Sequence, residues 1–257
     1  MNRIAALFSR KKNNVLNIYC TAGYPALQST NTILHALQNN GADIIEIGMP
    51  YSDPLADGTV IQESSQTALQ NGMSINVLFE QLKNIRHTIH VPLILMGYMN
   101  PILQFGFEKF CAAAANVGID GIILPDLPLY EFEHDYKKIF EQHQLSFIFL
   151  ITPETSEERI KKIDSLSTGF IYAVSSSATT GNSKPIETQQ AYFKNLQSMQ
   201  LLNPILVGFG IHNKQTFTAA CTYTNGAIIG SAYIKALQTN TDIDNTTSQF
   251  LNSIIGF

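Results

Sequence analysis

The feature that most constrains this chain is a rhythm. Short apolar runs rich in β-formers return along its whole length, separated by longer amphipathic segments. The runs are Leu16–Cys20, Asp43–Gly48, Pro92–Gly97, Gly121–Leu124, Ser146–Ile151, Phe170–Ser175, Pro204–Gly208 and Gly226–Ile229, eight in all. Helical patterns lie between them at Thr30–Gln38, Val77–Ile85, Phe107–Val117, Glu131–His143, Glu157–Leu166, Thr188–Met199 and Lys214–Cys221. Alternating strands and helices require right-handed βαβ crossovers and therefore a parallel sheet. Near-continuous apolarity within each run implies that both faces of that sheet are covered. The count of eight, with no GxGxxG after the first run, favours a closed α/β fold, a (β/α)8 TIM barrel, over an open doubly wound sheet. A length of 257 residues suits one such unit, and nothing resembling a linker divides it, so residues 1–257 are read as a single domain.

Three segments depart from the rhythm. Ile4-Ala5-Ala6-Leu7-Phe8 precedes the first run with the spacing of a short extra helix. Met49 to Asn76 begins as a long loop after strand 2 and then turns helical, and Ser175–Pro185 forms a second loop, rich in Ser and Thr, after strand 6.

Charge and cysteine content remove several classes of function. The net charge is −4 and the only basic block is Arg10-Lys11-Lys12. A nucleic-acid binder needs a basic stripe to displace counterions, and none is present. Cys20, Cys111 and Cys221 are odd in number and far apart, which suits reduced thiols in a cytosol rather than a disulfide framework. No apolar run approaches the ~20 residues of a membrane span. The N-terminal apolar stretch is too short for a signal peptide. The expectation is a cytoplasmic protein without a membrane or nucleic-acid partner.

In a barrel of this kind the chemistry sits where strands end and loops begin. Strand 2 offers Glu46, with Asp53 and Asp57 in its loop. Strand 4 ends in Pro125-Asp126, strand 6 carries Tyr172, strand 7 ends in Gly208-Phe209-Gly210 and strand 8 in Gly230-Ser231. No lysine occupies a strand end, and Lys184 in the strand 6 loop is the one near candidate, so a Schiff-base nucleophile is missing. Histidine is also missing apart from His212, which argues against a metal site. No cofactor chemistry is encoded, and acid/base work by carboxylates remains.

Glu46 lies between isoleucines in a buried strand, where desolvation raises a carboxyl pKa towards the range useful for proton transfer. From position alone two readings stand, a proton-transfer group and a structural carboxylate at the rim. Asp57-Gly58 read alone is a turn before it is a base. As a pair, two carboxyls in different environments are able to hold different protonation states. Gly208, Gly210, Gly230 and Ser231 fall where this fold binds phosphate, with a helix expected to start at Ser231-Ala232 and aim its positive end there. Gly181 adds a further backbone N–H.

Read together, these segments carry a family resemblance. Tyr19-Cys20-Thr21-Ala22-Gly23-Tyr24-Pro25, the long stretch Glu46-Ile47-Gly48-Met49-Pro50-Tyr51-Ser52-Asp53-Pro54-Leu55-Ala56-Asp57-Gly58, and Met96-Gly97-Tyr98-Met99-Asn100-Pro101 closely resemble tryptophan synthase α subunits. So do Leu124-Pro125-Asp126-Leu127-Pro128, Gly208-Phe209-Gly210-Ile211 and Gly230-Ser231-Ala232. The segment from Ser52 to Gly58 is highly specific, whereas the glycine motifs are shared by many phosphate-binding barrels. The resemblance implies a lyase that cleaves indole-3-glycerol phosphate into indole and glyceraldehyde 3-phosphate. It implies Glu46 as the proton-shuttling group and Asp57 as the group facing the indole nitrogen. Tyr19, Met96, Ile123 and Leu150 would line the indole pocket, Tyr172 would hold the strand 6 side, and Thr180 would close its loop towards Asp57. Gly181, Gly210, Gly230 and Ser231 would bind phosphate. Asp53, Pro54 and Asp126 would lie towards a β subunit in an α2β2 heterotetramer, pyridoxal phosphate belonging to that partner and no cofactor to this chain.

The chain departs from the family pattern at Ala178 and Thr179 in the strand 6 loop and at Thr59, where proline is common. Alanine does not take positive φ cheaply, so loop closure is expected to differ. Three other readings remain at this point: a lyase acting without a partner, a barrel kept only to activate a β subunit, and another phosphate-binding barrel such as an isomerase of histidine or tryptophan biosynthesis. The intact Glu46 and Asp57 oppose the second, and the segment Ser52–Gly58 opposes the third.

Overall fold

A computed structural model of the chain describes residues 2–174, 190–208, 210–238 and 242–256. In chain order the elements open with α1 (Arg3–Arg10), β1 (Val15–Thr21), α2 (Ser29–Asn39) and β2 (Ile44–Gly48). They continue with α3 (Thr59–Gln70), α4 (Ile75–Leu82), β3 (Leu93–Met96), α5 (Met99–Phe105), α6 (Phe107–Asn116) and β4 (Gly121–Ile123). A continuous helical stretch follows, α7 (Leu129–Glu131) and α8 (Lys137–Gln142) joined by a π-helical turn at Phe132–Tyr136. Then come β5 (Ser146–Phe147), β6 (Leu150–Ile151), α9 (Glu157–Leu166), β7 (Ile171–Val174) and α10 (Gln190–Ser198). The chain ends with β8 (Ile205–Gly208), α11 (Lys214–Cys221), β9 (Gly226–Ile229), α12 (Ser231–Gln238) and α13 (Ile243–Ile255).

All recorded strand pairs are parallel, and the sheet runs β5-β4-β3-β2-β1-β9-β8-β7-β6. The two ends of this curled sheet are one stretch of chain. Ile148 donates its N–H to the Ile122 carbonyl, and Phe149 accepts from Tyr172 N–H. The single run expected at Ser146–Ile151 therefore divides into β5, facing β4, and β6, facing β7. The expected α/β architecture with a parallel sheet is observed. Every residue of β1 and β2 is buried, which explains their near-continuous apolarity.

Alternation along the strands sorts side chains into two cores. Leu16, Ile18, Ile45 and Ile47 point outward and pack under the helices. Val15, Ile44, Ile94, Ile123, Ile148, Phe170 and Leu206 fill the inside of the curl. Ile4 and Leu7 of α1 join this inner core. The amphipathic spacing of α1 is thus explained: its apolar stripe closes over the N-terminal ends of the strands. Asn2 caps α1 by accepting from Ala5 N–H, and its amide also donates to Ser146 Oγ at 2.7 Å. Arg3 donates to Asp120 at 3.0 Å.

Two helices escaped the periodicity. Pro101 sits in the first turn of α5, where its missing N–H is not needed, so the helix tolerates a residue that reads as a breaker. α13 packs mainly against α2, α12 and α11, so its pattern serves helix contacts rather than the strand rhythm. No helix among the described residues is long and apolar enough to cross a membrane.

Asp120, just before β4, organises the N-terminal ends of the strands. Its carboxylate accepts from Leu93 N–H at 2.9 Å, from Arg3 and from the Arg86 guanidinium. Arg86 also donates to the Gly118 and Val91 carbonyls. The side chains of Arg86 and Asp120 are 13% and 2% exposed, so losing the cation strands a buried charge. Arg86→Met is therefore expected to cost about 3 kcal/mol of stability, read as a lower midpoint in urea unfolding.

Candidate active site

The C-terminal ends of β1, β2, β3, β7 and β9 open onto a cavity of about 530 Å³. Inward-facing positions of these strands supply its floor: Tyr19, Glu46, Met96, Tyr172 and Ile228. Its rim carries Asp57 and the first turn of α3 on one side, with Gly210, Gly230 and Ser231 on the other. Glu46 stands beside Tyr19 in the β1–β2 register. The two tyrosines fit because glycines face them. A Cβ on Gly48 would overlap the Tyr19 hydroxyl, and one on Gly208 would overlap the Tyr172 hydroxyl.

Glu46 is 1% exposed. Burial pushes its carboxyl up to about 8, with a smaller push from the nearby Asp57 charge, while a 3.0 Å hydrogen bond donated by Asn17 Nδ2 opposes the rise. Asp57 is half-buried, and burial raises its carboxyl to about 6. Its Oδ2 accepts from the Tyr98 hydroxyl at 2.9 Å, which favours the ionised form. The Tyr98 oxygen in turn accepts from Ala56 N–H at 3.1 Å, so the loop holding Asp57 is tied to the residue that serves it. Burial, reinforced by the two carboxyls, holds the Tyr19 and Tyr172 hydroxyls well above their ordinary range, so both stay neutral. Near pH 7 the cavity thus holds a protonated Glu46 and a largely ionised Asp57, a proton donor and an anion in one enclosure.

Eight of the candidate site residues line this cavity together, Tyr19, Glu46, Asp57, Met96, Tyr172, Gly210, Gly230 and Ser231, and so do Thr59 and His212. Gly210 has φ of +78°, the left-handed region that glycine adopts without penalty. Ile123 and Leu150 do not reach the lining. Ile123 is fully buried in the inner core that also holds Tyr172, and Leu150, partly exposed, packs against that core and pairs with Tyr172 in register. Thr180, Gly181, Ala178, Thr179, Lys184 and Phe209 lie outside the described residues. Asp53 is exposed, Pro54 is buried, and Asp126 accepts from Met99 N–H at the start of α5. Thr59 is the first residue of α3, the helical position that suits proline best.

One expectation is corrected. Lys184 is not the sole lysine near the site, because Lys235 lines the cavity from the last turn of α12. Side chains lean towards a helix N-terminus, so a lysine one turn beyond Ser231 reaches back to the strand ends. A search confined to strand ends passes over it. Asn17 and Tyr98 were missed as partners of the two carboxyls. Asn17 did carry a signal, a polar side chain in an otherwise apolar strand, the same anomaly that exposes Glu46. Among the described residues no group of three or more His, Cys, Asp or Glu is placed to hold a metal ion.

Removing the Tyr98 hydroxyl takes away the bond that favours ionised Asp57. Tyr98→Phe is expected to raise the Asp57 midpoint by about one unit above its value near 6. Carboxyl carbon NMR titration measures it, and an unmoved midpoint would show that Tyr98 does not serve Asp57.

With this geometry in hand, comparison with known proteins is specific. The sequence profile of the tryptophan synthase alpha chain family matches residues 5–254. A tryptophan synthase alpha chain of Parabacteroides distasonis is 52% identical over 255 residues, covering 99% of both chains. The solved tryptophan synthase subunit alpha of Legionella pneumophila superposes with a TM-score of 0.89 at 31% identity, covering 99% of this chain and 97% of that one. A chain in a tryptophan synthase complex from Pyrococcus furiosus gives 0.87 at 33% identity, with 96% and 100% covered.

Proposed function

The chain belongs to the tryptophan synthase alpha chain family, and on that premise we propose that Glu46 and Asp57 divide the proton work of its reaction. The reaction is the cleavage of indole-3-glycerol phosphate to indole and glyceraldehyde 3-phosphate, a carbon–carbon lyase step in tryptophan biosynthesis. The observation that carries the assignment is the pair of carboxyls in a single cavity, Glu46 buried on its floor and Asp57 half-buried at its rim with a hydrogen bond from Tyr98.

The cleavage is a retro-aldol reaction in which the indole ring accepts the electrons of the broken bond. Protonated Glu46 delivers its proton to indole C3. The ring becomes cationic, and ionised Asp57 stabilises that charge at the ring nitrogen. Glu46, now a carboxylate, takes the proton of the glycerol hydroxyl as the aldehyde forms and the C3–C3′ bond breaks. Its electron pair returns to the ring, which leaves as neutral indole, and Glu46 ends protonated as it began. The ring supplies the electron sink, so the step calls for no Schiff-base lysine, metal or cofactor from this chain.

Tyr19, Met96 and Tyr172 hold the indole, and the family motif implies that Ile123 and Leu150 line the same pocket. The phosphate sits at Gly210, Gly230 and the start of α12. There the first-turn N–H groups of a helix lack intrahelical partners, and Gly181 completes the cradle as the family motif implies. Lys235 adds a positive charge one turn along α12. For Thr180, which lies outside the described residues, the family motif implies a contact with Asp57.

We read the curled sheet as a closed (β/α)8 barrel forming one domain over residues 1–257, with α1 across its N-terminal end and the long loop after strand 2 at the rim of the site; the long loop expected after strand 6 lies outside the described residues. The exposed Leu55, with Asp53, Pro54 and Asp126, faces a pyridoxal-phosphate β subunit in a cytoplasmic α2β2 assembly. The likeness to a chain solved within a tryptophan synthase complex supports that partner.

Two outcomes test the reading. Slow indole release by the purified chain, sharply accelerated by added β subunit, is expected; fast release indifferent to the partner would instead indicate a self-sufficient lyase. Glu46→Gln is expected to lower turnover by roughly 10²–10⁴ or more. That variant also has a stability signature. A carboxyl whose pKa is raised on folding binds more protons in the native state between its unfolded value, near 4.5, and about 8. Native stability therefore falls as pH rises through that window. Relative to the parent, Glu46→Gln is expected to melt higher at pH 9, on the order of 5 °C, with the difference shrinking towards pH 4. Normal turnover by this variant would remove Glu46 from the reaction.

A further inference from the structure

Asn17 has no part in the reaction as derived so far, yet its amide is spent on the carboxyl of Glu46, where those of Asn31 and Gln81 serve backbone carbonyls. It is fully buried on the inner face of β1, among apolar side chains, and its Nδ2 donates to Glu46 Oε2 at 3.0 Å. Its Oδ1, equally buried, has no hydrogen-bond partner among the described residues. A core that required only volume would use an apolar side chain here, because a buried acceptor without a donor is an uncompensated loss of solvation. A leucine has the same branched outline and no such penalty. The half-used amide becomes intelligible once its neighbour is a group that changes protonation state.

We propose that Asn17 is a positioning residue whose amide turns over with the protonation of Glu46. With Glu46 ionised, Nδ2–H donates to Oε2, as observed. When Oε2 takes a proton it becomes a donor, and a half-turn about the Cβ–Cγ bond brings Oδ1 round to accept it. That torsion is broad and roughly two-fold in asparagine, so the turn needs no movement of β1. An amide offers a donor and an acceptor at the two ends of one planar group, which a half-turn exchanges. Each state of Glu46 thus gains one hydrogen bond from the same residue. A group that must give a proton and then take one is held in the same place for both steps. This rests on the reading of Glu46 as the proton shuttle.

The surroundings leave this task to Asn17. Facing Glu46 from β1 is Tyr19 and from β7 Tyr172, both kept protonated by burial, while Cys20, on the outer face of β1, is likewise kept protonated by burial. From the loop after β2 comes the charge of Asp57. From β3 the neighbour in register is the apolar Ile94.

The test needs the native chain and one variant. In the native protein, the Asn17 side-chain NH₂ resonances are followed through a pH titration beside the protonated-carboxyl infrared band of Glu46. That band is assigned by its loss in Glu46→Gln. The amide signals are expected to move with the same midpoint as the band, near 8. In Asn17→Leu the midpoint is expected to rise by up to about one unit, because of the two bonds lost the one to the ionised carboxylate is the stronger. The band should also move to higher frequency, because its O–H has lost its acceptor, and kcat should fall about tenfold with KM within about twofold. A raised midpoint with an unmoved band would overturn the turning amide, showing that Asn17 only steadies the carboxylate. Unmoved midpoint and band would overturn the proposal as a whole. If Asn17→Leu does not fold, the native titration decides alone: amide signals indifferent to the Glu46 midpoint sink the idea. Should Glu46→Gln retain turnover, the reaction assignment fails, while the titration still reports whether Asn17 follows Glu46.

Discussion

The rest of the structure depends on one desolvated carboxyl. Both faces of β2 are covered, the outer by helices and the inner by the side chains that fill the curl, so Glu46, on the cavity floor, is almost wholly removed from bulk water. A group in that position settles on the neutral form at pH values where a surface glutamate is fully ionised. The cost is spread over a strand whose other side chains contribute apolar burial. It is tolerable because the sheet is held from elsewhere, by the inner core and by the Asp120 cluster at the opposite ends of the strands. Stability and chemistry are thereby separated along the strand axis. The N-terminal ends carry the ion pairs and the α1 plug, and the C-terminal ends carry the cavity.

Asp57 shows the complementary arrangement. It reaches the same cavity from a loop, keeps partial contact with solvent, and receives a hydroxyl that stabilises its charge. Two carboxyls of similar intrinsic acidity are split by environment alone, one by strand burial and the other by a donor and a looser enclosure. The loop from Met49 to Gly58 interrupts an otherwise regular alternation because a charge-bearing aspartate has no place on a buried strand.

Much of this was legible in the chain. The alternation of runs and helical segments identified every strand position, since burial on both faces writes itself as continuous apolarity. The anomaly of Glu46 inside such a run marked the site, and the glycines after strands 7 and 8 marked its far wall. What escaped did so for physical reasons. The division of Ser146–Ile151 between two neighbours is a matter of hydrogen-bond partners, which composition does not record. α5 was hidden by Pro101, harmless in a first turn. Lys235 was hidden because a helical side chain leans back towards its N-terminus and covers ground a turn away from its own position. Ile123 and Leu150, placed at the pocket by resemblance, belong to or pack against the inner core that meets its floor, and no one-dimensional pattern separates a lining residue from the one supporting it.

The tyrosines seated against glycines carry a consequence for how this chain is free to drift. The Tyr19 hydroxyl occupies the space where Gly48 would carry a side chain, and Tyr172 does the same at Gly208. Neither glycine is required here by its backbone angles; each is required by the ring opposite. The two members of each pair are therefore historically locked. A lineage that gains a methyl at Gly48 before shortening Tyr19 passes through a collision, whereas the reverse order passes only through a void. Exchange at these positions has a permitted direction, ring first and glycine second, and the shape of the cavity floor is inherited as two coupled pairs rather than four independent residues.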